Sequence, residues 1–137
     1  MDCFLCQKHK GEVAEPPGGY IYQGVHWLIC HAPVEKGPLG TLFIESRRHF
    51  LDYANANEEE LATYGLLLKK VYATLKSVTG AERVYQVVFV DGIPHFHTWL
   101  VPRRAGDPKG VPFLAKDIVC EQAEAKKLVE KLRILLA

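Results

Sequence analysis

A long segment with apolar residues at helical spacing divides this 137-residue sequence into two groups of short strand candidates. Asn57 followed by Glu60 has the pattern of a helix N-cap, and apolar residues then recur every three or four positions until Gly80. A second helical pattern covers residues 121–135. One long helix among short strands predicts an α+β fold with a mostly antiparallel sheet.

Five strand candidates lie along the sequence, bounded by glycine, proline or polar residues. They cover residues 20–23, 27–31, 41–45, 84–90 and 95–101. Residues 1–19 are predicted to be irregular and end in the breaker cluster EPPGG, and a loop rich in proline and glycine follows the last strand. We expect one domain of residues 1–137, with a five-stranded sheet, one long helix and a C-terminal helix.

The composition gives no electrostatic reason to expect binding to nucleic acid or to a membrane surface. The formal net charge is +1, with 24% charged and 48% hydrophobic residues, the balance of an ordinary globular protein. No apolar run reaches membrane-spanning length, and residues 1–20 lack the basic start and apolar centre of a signal peptide. We therefore expect a cytoplasmic protein with no nucleic-acid and no membrane partner.

The last strand candidate carries two histidines, in the segment PHFHTWLVPR (94–103). Side chains alternate along a strand, so His95, His97 and Trp99 are predicted to share one face, while the residues between them face the core. Two imidazoles and an indole on one face need hydrogen-bond partners, a metal or a solvent-facing cleft. An isolated pair of this kind is more often a pair of partly exposed strand histidines, so the remaining motifs decide its use.

A C-x-x-C motif, Cys3 and Cys6, has the spacing of one half of a zinc site. A second C-x-x-C is absent from the sequence, so a closed tetrahedral site needs two further ligands from elsewhere. In a reducing compartment, metal binding or plain thiols are preferred to a disulfide. Two free thiols on a disordered segment are the alternative, and His9 is an alternative third ligand. Cys30 lies in an apolar run and is interpreted as a small buried hydrophobe.

The histidine segment resembles the defining motif of the histidine-triad (HIT) superfamily of nucleotide hydrolases and transferases, His-φ-His-φ-His-φ-φ followed by Pro-Arg. The match includes His95, His97, Pro102 and Arg103. It departs at the third histidine, where Trp99 stands.

The resemblance extends beyond this motif. The segment PLGTLFIESRRHF (38–50) is similar to a second family segment, and residues 20–104 are covered in all. The C-x-x-C start and KGVPFLA (109–115) resemble a zinc-containing branch of the superfamily. The fold implied is HIT-like, in agreement with the order of elements.

The resemblance assigns the nucleophile to the second histidine, His97. It implies attack on the α-phosphate of a nucleoside phosphate derivative and a nucleotidyl-histidine intermediate, chemistry that suits a neutral imidazole near pH 7. Arg103 and the backbone around Gly92 are expected to contact the phosphoryl oxygens. Trp99 can donate an indole N–H to substrate, but it cannot carry a proton back and forth as imidazole does.

The resemblance also supplies the missing metal ligands. It implies a structural zinc held by Cys3, Cys6, His49 and His95, with residues 1–19 forming a zinc-binding segment. Four protein ligands leave no open position on the metal, so this zinc is not expected to activate water.

Three functions follow as hypotheses. The first is a HIT-type nucleotide hydrolase or nucleotidyltransferase, with dinucleoside polyphosphates among the candidate substrates. The second is a catalytically weakened nucleotide-binding or regulatory protein, and the third is a zinc-stabilised interaction domain. Many family members bind the ribose through an aspartate, where this chain has Ala32 or Pro33, so nucleoside preference is not implied. The family also implies a homodimer through the long helix, to which Tyr64 and Leu68 contribute unless they belong to the core.

Overall fold

The computed structural model describes residues 3–137 and contains a five-stranded antiparallel sheet. Residues 1 and 2, part of the predicted domain and of its N-terminal segment, lie outside the described residues. The strands are β1 (Tyr22–Gln23), β2 (Trp27–His31), β3 (Leu42–Ser46), β4 (Arg83–Val87) and β5 (His97–Arg103), in the order β1-β2-β3-β5-β4. The helices are α1 (Phe4–His9), α2 (Glu58–Thr79), α3 (Val111–Leu114) and α4 (Gln122–Leu135). The predicted α+β architecture is confirmed.

The long helix α2 begins and ends where the sequence predicts. The Asn57 side chain accepts a hydrogen bond from the Glu60 N–H at 2.9 Å, and the Glu60 carboxylate accepts one from the Asn57 N–H at 2.8 Å. Gly80 ends the helix with φ of 71°, a left-handed conformation that glycine adopts without steric cost. Within residues 3–137, α2 and the other helices all lack the combination of length and apolar character needed to cross a membrane.

One face of the sheet packs against α2 and α4 and forms the core. The core includes buried residues from both helices and from three strands: Val71, Leu75, Val129, Leu132, Ile29, Ile44 and Leu100. Tyr64 of α2 also lies in this core, where its hydroxyl is 2.5 Å from the Thr98 hydroxyl. Tyr64 is therefore a monomer core residue and not part of an exposed dimer surface.

Two short helices lie in segments predicted to be irregular. In α1, the Cys3 sulfur accepts a hydrogen bond from the Cys6 N–H, and Leu5 is buried. In α3, Phe113 is buried against Tyr85, with ring centroids 5.8 Å apart. Helices of four to six residues have little stability of their own. Their formation therefore depends on tertiary contacts that local sequence patterns do not reveal.

The strand with the two histidines begins later than predicted. β5 starts at His97, because the His95 N–H donates to the Ile93 carbonyl in a turn that precedes the strand. His95 lies just before the strand, and its ring is 5.4 Å from the ring of His9, which contacts Glu45 on the same side of the sheet as His97. In the register of β5 with β3, Glu45 is opposite His97 and Phe43 is opposite Trp99. These four side chains lie on the sheet face away from α2, which is the face that carries the candidate site.

Candidate functional site

His97 is held in one tautomer by the backbone. Its Nδ1 lies 2.7 Å from the His95 carbonyl oxygen, and a carbonyl can only accept, so Nδ1 carries the proton. The lone pair is then on Nε2. The side chain is 5% exposed and lines two neighbouring cavities. An imidazole oriented in this way can act as a nucleophile or a base toward a group bound in either cavity.

The first cavity has a volume of about 550 Å³ and lies between α1, the loop after β2 and the sheet. Its lining includes Lys8, His31, Pro33 and Phe43. This volume is within the range of small-molecule sites, about 300–1,000 Å³. The cavity therefore combines apolar walls with a lysine close to the histidine strand.

The second cavity, of about 660 Å³, lies between α3 and the loop that leads into β5. It is mainly apolar, with Phe89, Phe113 and Leu114 among its lining residues. His97 and Trp99 line both cavities, so they stand at the junction. A group that reacts with His97 therefore has space on either side.

Four potential metal ligands come together beside this junction. The ligand atoms of Cys3, Cys6, His49 and His95 all lie within 4.8 Å of one another. They come from the start of the chain, from the segment after β3 and from the turn before β5. His9, the alternative third ligand, instead places its Nε2 2.9 Å from the Glu45 carboxylate.

The spacing within this cluster fits a tetrahedral zinc. Zinc–sulfur bonds of about 2.3 Å and zinc–nitrogen bonds of about 2.0 Å place ligand atoms roughly 3.3–3.8 Å apart. The Nδ1 atoms of His49 and His95 are 3.2 Å apart. The sulfur–nitrogen distances are 3.3 Å for Cys3 to His95, 3.5 Å for Cys6 to His49 and 3.6 Å for Cys6 to His95. Four of the six pairs of ligand atoms thus have separations close to those of a tetrahedral zinc site.

His95 connects the metal cluster to the candidate nucleophile. Its Nε2 donates to the Ser46 carbonyl at 2.7 Å, which leaves the lone pair on Nδ1, the atom that faces the cluster. Burial lowers the pKa of His95 and so favours this neutral, ligating form. The carbonyl of the same residue accepts the proton of His97 Nδ1. His95 therefore contacts His97 through its backbone carbonyl and takes part in the cluster through its ring.

A buried network of charged side chains around Glu45 lies directly beside His97, and no sequence motif predicts it. Glu45 is fully buried and accepts hydrogen bonds from Lys8 at 2.6 Å and from His9 at 2.9 Å. Tyr20 donates to the same carboxylate at 3.2 Å. Burial alone raises the pKa of Glu45, but the His9 hydrogen bond and the Lys8 charge outweigh it and lower the pKa to about 2. The network fixes α1, which contains Cys6 and follows its N-cap Cys3, to the central strand β3.

The structure brings Trp99 and Gly92 to the cavities but not Arg103. Gly92 lines the second cavity, in the loop before His95. Arg103 is buried at the opposite end of β5, where its guanidinium pairs with Glu82. Six residues of extended chain place it roughly 20 Å from His97. The expected contact between Arg103 and a phosphoryl group at His97 is therefore not formed.

His31 is buried in the wall of the first cavity. Its Nδ1 donates to the Ala32 carbonyl at 2.7 Å, and its Nε2 accepts from the Gly40 N–H at 3.0 Å. Burial lowers the pKa of His31, which keeps the ring neutral. Both ring nitrogens are thus used to hold the loop between β2 and β3.

No protein-family model and no curated protein matches this sequence. Solved structures do match it, and histidine triad proteins are among them. A zinc-bound histidine triad family protein from Mycobacterium smegmatis has a TM-score of 0.77 at 18% identity, over 99% of this chain and 96% of the other. A hypothetical histidine triad nucleotide-binding protein from Sulfolobus tokodaii gives 0.77 at 19%, over 98% and 91%.

A Hit-like protein from Bartonella henselae gives a TM-score of 0.76 at 13% identity, over 98% of this chain and 96% of the other. At such identities the likeness establishes the fold. The resemblance to the histidine-triad superfamily is thus confirmed at the level of the fold.

Proposed function

We propose that this chain is a nucleotide hydrolase or nucleotidyltransferase that forms a nucleotidyl-histidine intermediate on His97. One observation carries the proposal: the His95 carbonyl holds the proton of His97 on Nδ1, so that Nε2 carries the lone pair at the junction of two cavities. Nε2 attacks the α-phosphorus, and the bond from phosphorus to the leaving-group oxygen breaks. Water or another acceptor then attacks the phosphorus and releases His97.

The groups around the junction suit a nucleotide phosphate. Lys8 lines the first cavity, while Lys36 lines both cavities. The positive charge of Lys36 is placed to stabilise phosphoryl oxygens, the role expected of Arg103. The backbone at Gly92 borders the second cavity and remains a candidate phosphate contact. Phe43 and Pro33 supply apolar surface for a nucleoside in the first cavity.

We also propose zinc at the Cys3, Cys6, His49 and His95 cluster, with a structural role. Two thiolates and two imidazoles are a donor set that zinc prefers, and together they complete its tetrahedral shell. The metal would cross-link α1 to the turn before β5. It would thereby fix the backbone carbonyl that orients His97.

The test is intact-mass analysis of the protein after rapid mixing with an adenylate that has a good leaving group, such as the p-nitrophenyl ester of AMP. We expect a nucleotidyl adduct on the wild type and none on His97→Ala, because the adduct requires the imidazole nitrogen. His26→Ala is the matched control, since His26 is a half-buried histidine that pairs with Glu59 outside the cavities. An adduct that survives in His97→Ala contradicts the proposal.

The second candidate function is a nucleotide-binding protein without turnover, and Trp99 favours it. The indole stands where the superfamily motif has its third histidine, edge-on to Phe43 with centroids 4.6 Å apart. This function would be selected if calorimetry shows nucleotide binding but no adenosine, guanosine or uridine derivative forms an adduct with the protein. Adduct formation selects the enzyme.

The homodimer through α2 remains a prediction. Leu66 is 75% exposed on this helix. We expect the wild type to be a dimer in size-exclusion chromatography with light scattering, and Leu66→Glu to be a monomer. Ile134→Glu on α4 is the control, because Ile134 is 79% exposed on another helix. A wild type that stays monomeric at high concentration overturns the prediction.

A further inference from the structure

We propose that this site selects substrates by their leaving group: it reacts with nucleotide derivatives whose leaving group departs as a stable anion, and not with those whose leaving group must be protonated. The reactive class is thus phosphoanhydrides and activated aryl esters. Phosphoramidates and alkyl esters are excluded. This inference rests on the proposed function of His97 and specifies its substrate class.

The side chain next to the nucleophile on its own face cannot supply a proton. Trp99 is two residues from His97 and lines both cavities with it. Its position is fixed by contact with Phe43, the residue opposite it on β3. The indole N–H donates a hydrogen bond but does not release its proton at neutral pH. It can therefore stabilise a departing anion but cannot act as a general acid toward it.

Among residues 3–137, six other titratable side chains line the two cavities: Lys8, Glu15, His31, Glu35, Lys36 and Lys116. His31 is the one with the chemistry of a general acid near neutral pH, but its single proton is held by the Ala32 carbonyl. Its second nitrogen already accepts the Gly40 N–H. His31 would have to break one of these hydrogen bonds to protonate a substrate.

The lysines supply charge and not protons. Lys8 donates to the Glu45 carboxylate at 2.6 Å and to the Cys30 sulfur at 3.2 Å, so its ammonium is held by protein acceptors. Lys36 is exposed and lines both cavities. A solvated ammonium beside the junction favours a leaving group that carries negative charge. Glu15 and Glu35 are exposed, and ionised carboxylates only accept hydrogen bonds.

Transfer of the nucleotidyl group to His97 needs no general acid. The lone pair of His97 Nε2 forms a bond to phosphorus, and the bond from phosphorus to the leaving-group oxygen breaks with its electron pair on that oxygen. The Nδ1 proton stays on the ring, hydrogen-bonded to the His95 carbonyl, so the intermediate is a phosphorylated imidazolium. The leaving group departs as an anion and takes a proton from solvent afterwards. Water then attacks the phosphorus, the bond from nitrogen to phosphorus breaks, and the water proton passes to solvent.

The experiment measures adduct formation by quenched-flow mass spectrometry, in single turnover, with a series of AMP aryl esters from p-nitrophenyl to phenyl. General-acid assistance is worth about 10²–10⁴-fold, so its absence leaves the rate fully dependent on the leaving group. We expect the wild type to react at least about 10²-fold faster with the p-nitrophenyl ester than with the phenyl ester. Adenosine phosphoramidate should give no adduct.

The variants Trp99→His and Trp99→Phe distinguish the effect of proton donation at position 99 from the effect of an aromatic ring there. Trp99→His should flatten the dependence on the leaving group and permit adduct formation from the phosphoramidate, whereas Trp99→Phe should leave the dependence steep. The wild-type series is decisive even where a variant does not fold. Similar rates for all esters overturn this inference alone. No adduct with the p-nitrophenyl ester overturns the proposed function of His97.

Discussion

Removal of the metal is expected to lower the melting temperature by about 10 °C or more and to slow adduct formation on His97. Cys3, His49 and His95 come from three separate parts of the chain, so the proposed zinc would close two long loops at once. Structural zinc sites contribute much of the folding free energy of small domains, and each kcal/mol lost shifts the melting temperature by about 2–8 °C at this size. Thermal unfolding with and without a chelator measures the effect.

The variant Cys3→Ala tests the same site without a chelator. It should lose zinc, measured by elemental analysis, and should melt at the temperature of the chelated wild type. Cys120→Ala is the matched control, because Cys120 is a free, half-buried cysteine outside the cluster. Unchanged zinc content and melting temperature in Cys3→Ala would show that the cluster is not a metal site.

The link from His95 to His97 adds a second expected effect of metal removal. The carbonyl that holds the His97 proton belongs to a residue whose ring is one of the four proposed zinc ligands. Without the metal this residue loses one of its two anchors and retains the hydrogen bond to Ser46. At a temperature where the metal-free protein is folded, the rate of adduct formation should therefore fall while nucleotide binding persists.

The sequence predicted those parts of the site that depend on local spacing. The C-x-x-C motif and the strand alternation are visible within ten residues, and the family resemblance added His49 and His95 to the metal cluster. The fold confirms that these residues meet. Their meeting follows from the antiparallel pairing of β3 with β5, which places the end of one strand beside the start of the other.

The parts that sequence reasoning missed depend on long-range contacts. Lys8 and Glu45 are 37 residues apart, and neither belongs to a motif that predicts the pairing. Arg103 follows the histidine motif directly, but an extended strand carries it to the far end of the sheet. Tyr64 has the same helical spacing as the core residues, and it is buried by contacts with Trp27, Phe96 and Thr98 from distant strands and loops.

Glu45→Ala is expected to destabilise the fold by about 3–5 kcal/mol, because it leaves the Lys8 ammonium buried without its counter-ion. The side chains of Glu45 and Lys8 are 0% and 8% exposed, so water cannot replace the lost carboxylate. Urea unfolding of the zinc-loaded protein measures the change. The ion pair of His26 with the exposed Glu59 supplies the control, and Glu59→Ala should cost less than about 1 kcal/mol.

The same carboxylate predicts a pH dependence. The pKa of Glu45 in the folded protein is about 2, below the ordinary value of 4.5. Burial raises this pKa, but His9 and Lys8 lower it by more. A carboxylate with a lowered pKa stabilises the folded state above its unfolded pKa and loses that contribution as pH falls. The wild type should therefore lose stability between about pH 4.5 and pH 2. Acid also releases zinc from thiolates, so the comparison needs a variant that retains the metal ligands.

Glu45→Gln with Lys8→Met provides that variant, because it keeps the size of both side chains and removes both charges. We expect each single substitution to cost more than half of what the pair costs, since each leaves one buried charge without a partner. The double variant should also show a shallower loss of stability below pH 4.5 than the wild type, with zinc release as the remaining cause. Additive costs and an unchanged acid profile would mean that Glu45 and Lys8 do not act as a pair.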